Sequence, residues 1–207
     1  MLQEEVVDIR IMRSKKAISE ALIALIKEKD FKTITITDIV NKAGVNRGTF
    51  YKHYAYKDDI ITEIQDDCLE KFADVLKNSY SEICYSTLST VPLSDALFTF
   101  AYDYRNFFHF AIHSAGFLNF QLQFSAILKK FLIVNLFPTA LYSLESQDFL
   151  GAYIANGIYG YLVEWDEKEY DSSPAEMAQK LTNIFILDRN IFSLPVAELL
   201  TDEENVE

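Results

Sequence analysis

Residues 35–59 read TITDIVNKAGVNRGTFYKHYAYKDD, and this stretch decides the fold. Thr35-Ile36-Thr37-Asp38 has the form of a capping box. The Thr35 hydroxyl can accept from the Asp38 N–H while the Asp38 carboxylate reaches back. The spacing predicts a short helix over 36–43 that buries Ile36, Ile39, Val40 and Ala43. Gly44 supplies a left-handed stop, and Val45 plugs the turn into the core. A second short helix follows, from about 47 to 54, and presents Asn46, Arg47, Thr49, Lys52 and His53 outward. Small, polar and cationic side chains on an exposed helix suit a DNA major groove. Tyr51 and Lys57 stand where a backbone phosphate can be held.

The flanks agree with a helical protein. Upstream, Ile18, Ala21, Leu22, Leu25 and Ile26 share one helical face of a segment near 8–29. Downstream, Asp58 is expected to cap a longer helix carrying Ile61, Ile64, Cys68, Phe72, Val75 and Leu76. A Ser/Thr-rich loop or frayed end is expected over 79–92, then helices near 93–113, 117–137, 147–168 and 173–192. Ser173-Pro174-Ala175-Glu176 gives the last one a clear start. The chain holds 6 Gly and 4 Pro in 207 residues, few enough breakers for long helices. The tail after Leu200 is acidic and is expected to be disordered.

The net charge of −12 argues against nucleic acid only until its distribution is read. Residues 1–57 carry 11 Lys+Arg against 7 Asp+Glu, a net of +4, and the remainder nets −16. A basic head on an acidic body orients itself on a polyanion, because the local field governs the approach. Cys68 and Cys84 lack metal-ligand or redox spacing and read as small buried hydrophobes in a reducing cytoplasm. No apolar segment of signal-peptide type opens the chain. Residues 106–128 carry no charge, but eight polar side chains and Gly116 lie among them. They are expected to form two core helices broken near Gly116, not a membrane span.

The block 35–59 resembles the DNA-binding domain of the TetR/AcrR family of bacterial transcriptional regulators. Gly44-Val45, Thr49-Phe50-Tyr51, His53-Tyr54 and Lys57-Asp58 match its pattern in turn, and the amphipathic first helix and the break near Phe31 match as well. The resemblance implies an all-α chain with an N-terminal three-helix helix-turn-helix domain (1–57), a C-terminal helical effector and dimerisation domain (58–200) and an acidic tail (201–207). It implies a sequence-specific transcriptional regulator, a repressor released by a small-molecule effector. The alternative is an interaction module acting through a protein partner as co-activator or adaptor.

By the same resemblance, Thr35 or Thr37, Tyr51 and Lys57 match phosphate-holding positions. Arg47, Thr49 and Lys52 match base-reading ones, with Gly48 permitting close approach. Arg47 is open to a guanine or to a phosphate, and His53 is read as a phosphate or packing residue. Ala55-Tyr56 departs from the polar or basic pair more usual there. The partners implied are double-stranded DNA with a palindromic operator and a second copy of the chain. The last two helices would form the homodimer, with Gly151, Ala152, Ala155, Gly157 and Gly160 allowing close approach. Parts of 105–124, Glu164-Trp165 and 173–178 resemble a subgroup from low-GC Gram-positive bacteria whose effectors are diverse.

Tyr102, Phe108, His109, Phe120, Phe124, Tyr161 and Trp165, with Tyr104, either line a ligand pocket or form plain core. His109 and His113, four apart on one helix, make half a metal site. No acidic or thiol ligand lies near them in sequence, so they read as a core pair, with no metal or cofactor expected. Neither a Gly-rich phosphate loop nor a nucleophile elbow occurs, so no enzyme is expected. Asp66-Asp67 and Asp202-Glu203-Glu204 read as solvated charge runs.

Overall fold

A computed structural model describes residues 2–83, 91–114, 118–135 and 143–191, and among these every regular element is helical. In chain order they are α1 (Leu2–Glu28), α2 (Ile36–Ala43), α3 (Arg47–His53), α4 (Lys57–Ile83), α5 (Val91–Asp103), α6 (Arg105–His113), α7 (Leu118–Asn135), α8 (Leu144–Glu167) and α9 (Pro174–Ile191), with a single 3-10 turn at Phe31–Thr33. Cys84, Gly116 and the acidic tail lie outside the described residues.

The apolar side chains sort into two clusters. In the first, Ile18, Leu22 and Leu25 of α1 meet Ile39 and Val40 of α2, Phe50 of α3, Tyr54, and Ile60 and Ile61 of α4. The second joins Cys68, Leu69, Phe72 and Leu76 of α4 to α5 through α9. Helix α4 therefore serves both clusters, and a ring from α6, Phe110, sits in the first. In the second, α8 packs on α7, α9 on α5, and α4 against both α5 and α7. Phe72 stacks on Phe124 at 4.1 Å between ring centroids.

Several boundaries differ from the sequence expectation. Helix α1 begins at Leu2, well before residue 8, since neither Gly nor Pro interrupts 2–7. Helix α4 begins at Lys57 and runs to Ile83, past Ser79. Its start is capped by Asp59, not Asp58: the Asp59 carboxylate accepts from the Ala55 and Tyr56 N–H groups, each at 2.8 Å. Helix α5 begins at Val91 with Pro92 in its first turn, where a missing N–H costs nothing. The single helix expected over 93–113 is two, broken at Tyr104 without Gly or Pro. Tyr104 stacks on Phe100 at 4.7 Å, and Arg105 takes up the Tyr102 carbonyl at 2.8 Å and lies over the Tyr102 ring. Side-chain packing and a cationic donor thus offset the helical bonds lost there.

The two expected capping boxes form. Thr35 and Asp38 make the reciprocal box at the head of α2, and Ser173 and Glu176 make it at the head of α9. Among the described residues no helix is long and apolar enough to cross a membrane.

Candidate nucleic-acid interface

The first cluster holds α2 and α3 at a fixed turn. Gly44 adopts φ 66° and ψ 27°, a region open to glycine at little steric cost. The Val45 N–H reaches back to the Val40 carbonyl at 3.0 Å, and Gly44 N–H to that of Asn41 at 3.3 Å, the paired bonds of a Schellman stop. Asn46 then caps α3, its side-chain oxygen accepting from the Thr49 N–H at 2.7 Å and the Thr49 hydroxyl at 3.1 Å. Phe50 and Tyr54, one turn apart, anchor α3 in the core. Burial, and then the Glu63 carboxylate, push the Tyr54 hydroxyl up to about 12.

With Phe50 and Tyr54 inward, Arg47, Gly48, Tyr51 and Lys52 form the exposed face of α3. Tyr51 is 57% exposed, far more than a ring needing cover. Thr37 of α2 joins this face, because the Arg47 guanidinium donates to the Thr37 hydroxyl. Gly48 lets the helix approach a surface closely, although a Cβ there would also meet the Asn46 side-chain oxygen at 3.2 Å. His53 is half-buried at the margin, its ring edge toward Tyr54. Tyr56 is exposed beside Ala55.

Three residues named from the sequence as DNA-contacting also make local hydrogen bonds. The Thr35 hydroxyl is engaged with Asp38 at 2.7 Å, Thr49 with Asn46, and Asn46 is a cap rather than a helical residue. Lys57 has the most local partners. Its ammonium donates to the carbonyls of Phe31 and of Ile34, the latter at 2.9 Å, and lies 4.4 Å from the centre of the Phe31 ring. In this conformation it clamps the 3-10 turn.

Charge pairs brace the unit behind that face. Lys29 donates to Asp38 at 2.8 Å and Lys15 to Glu63 at 2.7 Å, and Lys42 pairs with Glu28. Lys29 first, then the backbone and hydroxyl of Thr35, hold the Asp38 carboxyl well below its ordinary value.

The aromatic residues of the C-terminal helices pack on one another. Phe108, Phe120, Phe124 and Trp165 are buried core rings, with Phe108 against Phe120 at 5.4 Å and Phe98 against Trp165 at 5.6 Å. Tyr102 and Tyr161 are half-buried at their edge, against Trp165 and Phe98 respectively. His109 and His113 are not a core pair: both are exposed, and both contact Asp166 of α8. Sequence reasoning missed Asp166 because it lies more than 50 positions away. Burial, and then the Asp166 carboxylate, push the Tyr159 hydroxyl up to about 12 and raise that of Tyr170.

The small residues of α8 divide between two faces. Gly151 and Ala155 are buried within the chain, where a Gly151 Cβ would meet Ile133 at 3.1 Å and Lys129 at 3.2 Å. Gly157 and Gly160 face outward with open space beyond. They share the outer side with Phe149 and Tyr153, which are 69% and 66% exposed.

Two family models match separate parts of the chain. The one for bacterial regulatory proteins of the tetR family matches residues 18–64, spanning the capped helix-turn-helix and its supports. A transcriptional regulator C-terminal region matches 89–186. The chain belongs to the TetR/AcrR family. Among curated relatives, an uncharacterized HTH-type transcriptional regulator, YxbF of Bacillus subtilis, is 27% identical over 165 residues, 79% of this chain and 42% of that one. The HTH-type transcriptional repressor KstR2 of Rhodococcus jostii is 32% identical over 88 residues, 42% of this chain and 41% of its own. The chain thus spans about two fifths of the curated relatives it matches.

Solved structures share the fold. The dihydroxyacetone kinase operon activator DhaS superposes with a TM-score of 0.64 at 18% identity, covering 86% of this chain and 97% of DhaS. A regulator of the same family from Aquifex aeolicus gives 0.63 at 19% identity, covering 84% and 98%.

Proposed function

We propose that this TetR-family chain is a sequence-specific DNA-binding transcriptional regulator that acts as a homodimer. The observation that carries the reading is the exposed face of α3. Arg47, Gly48, Tyr51 and Lys52 are displayed together while Phe50 and Tyr54 lock the helix from behind. A guanidinium and an ammonium on a rigid, narrow helix are the groups that reach base edges and phosphates in a major groove. The positive charge of residues 1–57 supports the same approach. Arg47 and Lys52 are assigned to bases or adjacent phosphates, Tyr51, Thr37 and His53 to the backbone. Thr35, Asn46 and Thr49 set the helix ends that present them, and Lys57 reaches a phosphate by leaving the 3-10 turn.

Residues 1–57 act as the reading head and 58–200 as the body. The outer side of α8, with Phe149, Tyr153, Gly157 and Gly160, supplies the dimer contact, together with α9. A two-fold dimer presents two reading helices to two half-sites, so the operator is palindromic. Repression released by a small effector is the mode we assign, through unequal effector affinity for two dimer conformations. No enzymatic step is assigned to the chain.

The test is a binding titration against duplex DNA from the region upstream of its own gene, repeated across salt concentrations. Affinity above a random duplex, falling steeply with salt, is the expected result. Binding equal to the random duplex over all upstream fragments would remove the sequence-specific reading.

A further inference from the structure

Helices α6 and α8 bring together three metal-ligating side chains that are far apart in sequence. His109 and His113 occupy successive turns of α6, with ring centroids 4.5 Å apart. Asp166, near the end of α8, directs its carboxylate at both. Its Oδ1 and Oδ2 lie 3.2 Å and 3.1 Å from His109 Nδ1, and Oδ2 lies 2.9 Å from His113 Nε2. The donor atoms of the three groups all fall within 4.8 Å of one another.

Burial sharpens the case. The Asp166 side chain has 0% exposed surface, whereas the two imidazoles are 59% and 50% exposed. A carboxylate removed from water needs a compensating positive charge. Among the described residues, its ion partners are these two imidazoles. The buried acid sits at the base of a site that solutes reach from the imidazole side. The turn after it is locked: the Tyr170 N–H reaches the Trp165 carbonyl at 3.0 Å, and the Trp165 indole N–H donates to the Ser172 carbonyl at 3.1 Å. Asp166 is thereby held on a rigid support.

We propose that His109, His113 and Asp166 bind a first-row divalent transition-metal ion of the zinc class. Two imidazole nitrogens and one carboxylate oxygen are ligands such an ion accepts, while Mg²⁺ and Ca²⁺ prefer oxygen throughout. Bonds of about 2.0–2.1 Å in tetrahedral array set ligand atoms roughly 3.4 Å apart. The observed spacings to Asp166 are only a few tenths of an ångström shorter, a gap that exposed imidazoles can open by small rotations. The exposed side leaves the fourth position to water. Helix α6 also places Phe110 in the core of the reading head, so an ion drawing α6 onto α8 acts on that head. This last clause rests on the DNA-binding reading; the site itself does not.

The experiment uses the untagged 207-residue chain, stripped with a chelator. Zn²⁺ is titrated in competition with a chromophoric chelator, and Co²⁺ is followed by its visible absorption. One ion per chain is expected, weakened on the order of 100-fold in Asp166→Asn and in the double variant His109→Gln/His113→Gln. The double variant changes exposed side chains, so its fold can be verified by circular dichroism before titration. Absence of binding at micromolar Zn²⁺, or equal binding by the double variant, would overturn the site. Since no DNA is present, that failure is distinct from failure of the regulator reading. A change in DNA affinity with Zn²⁺, lost in the double variant, supports the coupling to the head. Unchanged affinity with the ion bound removes it.

Discussion

The ring of Phe110 on α6 lies 5.5 Å from the ring of Phe31, tilted by 60°, so a side chain of the C-terminal helices completes the core of the N-terminal ones. Replacing it with Ala removes a buried ring from the junction, at a cost of about 3 kcal/mol. Phe110→Ala should therefore lower the urea midpoint substantially. Hydrogen exchange should rise in α1 to α3 as well as in α6. Faster exchange confined to α6 would show that the ring does not support the head.

Lys57 tests whether a cation serves the fold or the ligand. Its ammonium donates to the Phe31 and Ile34 carbonyls, and charge-assisted bonds of this kind contribute about 2 kcal/mol. Lys57→Met keeps the stem and removes the donors. Denaturant unfolding should show the midpoint fall with an unchanged slope. Unaltered stability, with a DNA salt slope flatter by about one charge, would instead assign Lys57 to a phosphate alone.

The capping box of α2 should leave a signature in pH. Lys29 and Thr35 hold the folded Asp38 carboxyl below its ordinary value of 3.8. A depressed folded value means the stabilisation is full above the unfolded value and is lost as pH falls below it. The difference in thermal midpoint between the wild type and Asp38→Asn should be constant near neutrality and shrink below about pH 4. A difference that persists undiminished at pH 2 would place the effect outside that carboxylate.

The two faces of α8 give different expectations for the same substitution. Ala in place of Gly gains up to about 1 kcal/mol of helix propensity. At Gly157 the added Cβ meets nothing within 4 Å, whereas at Gly151 it meets Ile133 and Lys129 at 3.1–3.3 Å. The isolated subunit should gain stability from Gly157→Ala and gain little from Gly151→Ala. Sedimentation should show Gly157→Ala weakening self-association if two copies of α8 approach closely there. An unchanged association constant would move the dimer contact away from Gly157.

Much of the candidate DNA site was legible because its determinants are local. Thr35 with Asp38 and Gly44 with Asn41 act across three residues, a distance that sequence spacing reports directly. The burial of Phe50 and Tyr54 follows from one helical turn. Asn46 is exposed as expected, but the same logic missed its role as the cap of α3, because an amide can either cap a helix or project from one.

From the sequence alone came the helical class, the helix-turn-helix with its caps and the basic character of residues 1–57, because periodicity, capping and charge belong to short windows of chain. Tertiary structure alone decided that Lys57 clamps the turn at Phe31, that Gly151 packs against α7 while Gly157 faces open space, and that Asp166 meets His109 and His113. Those pairings span more than 50 residues in the last case. Each depends on which helix packs beside which, a choice made by the summed burial of the whole core and written in no local pattern.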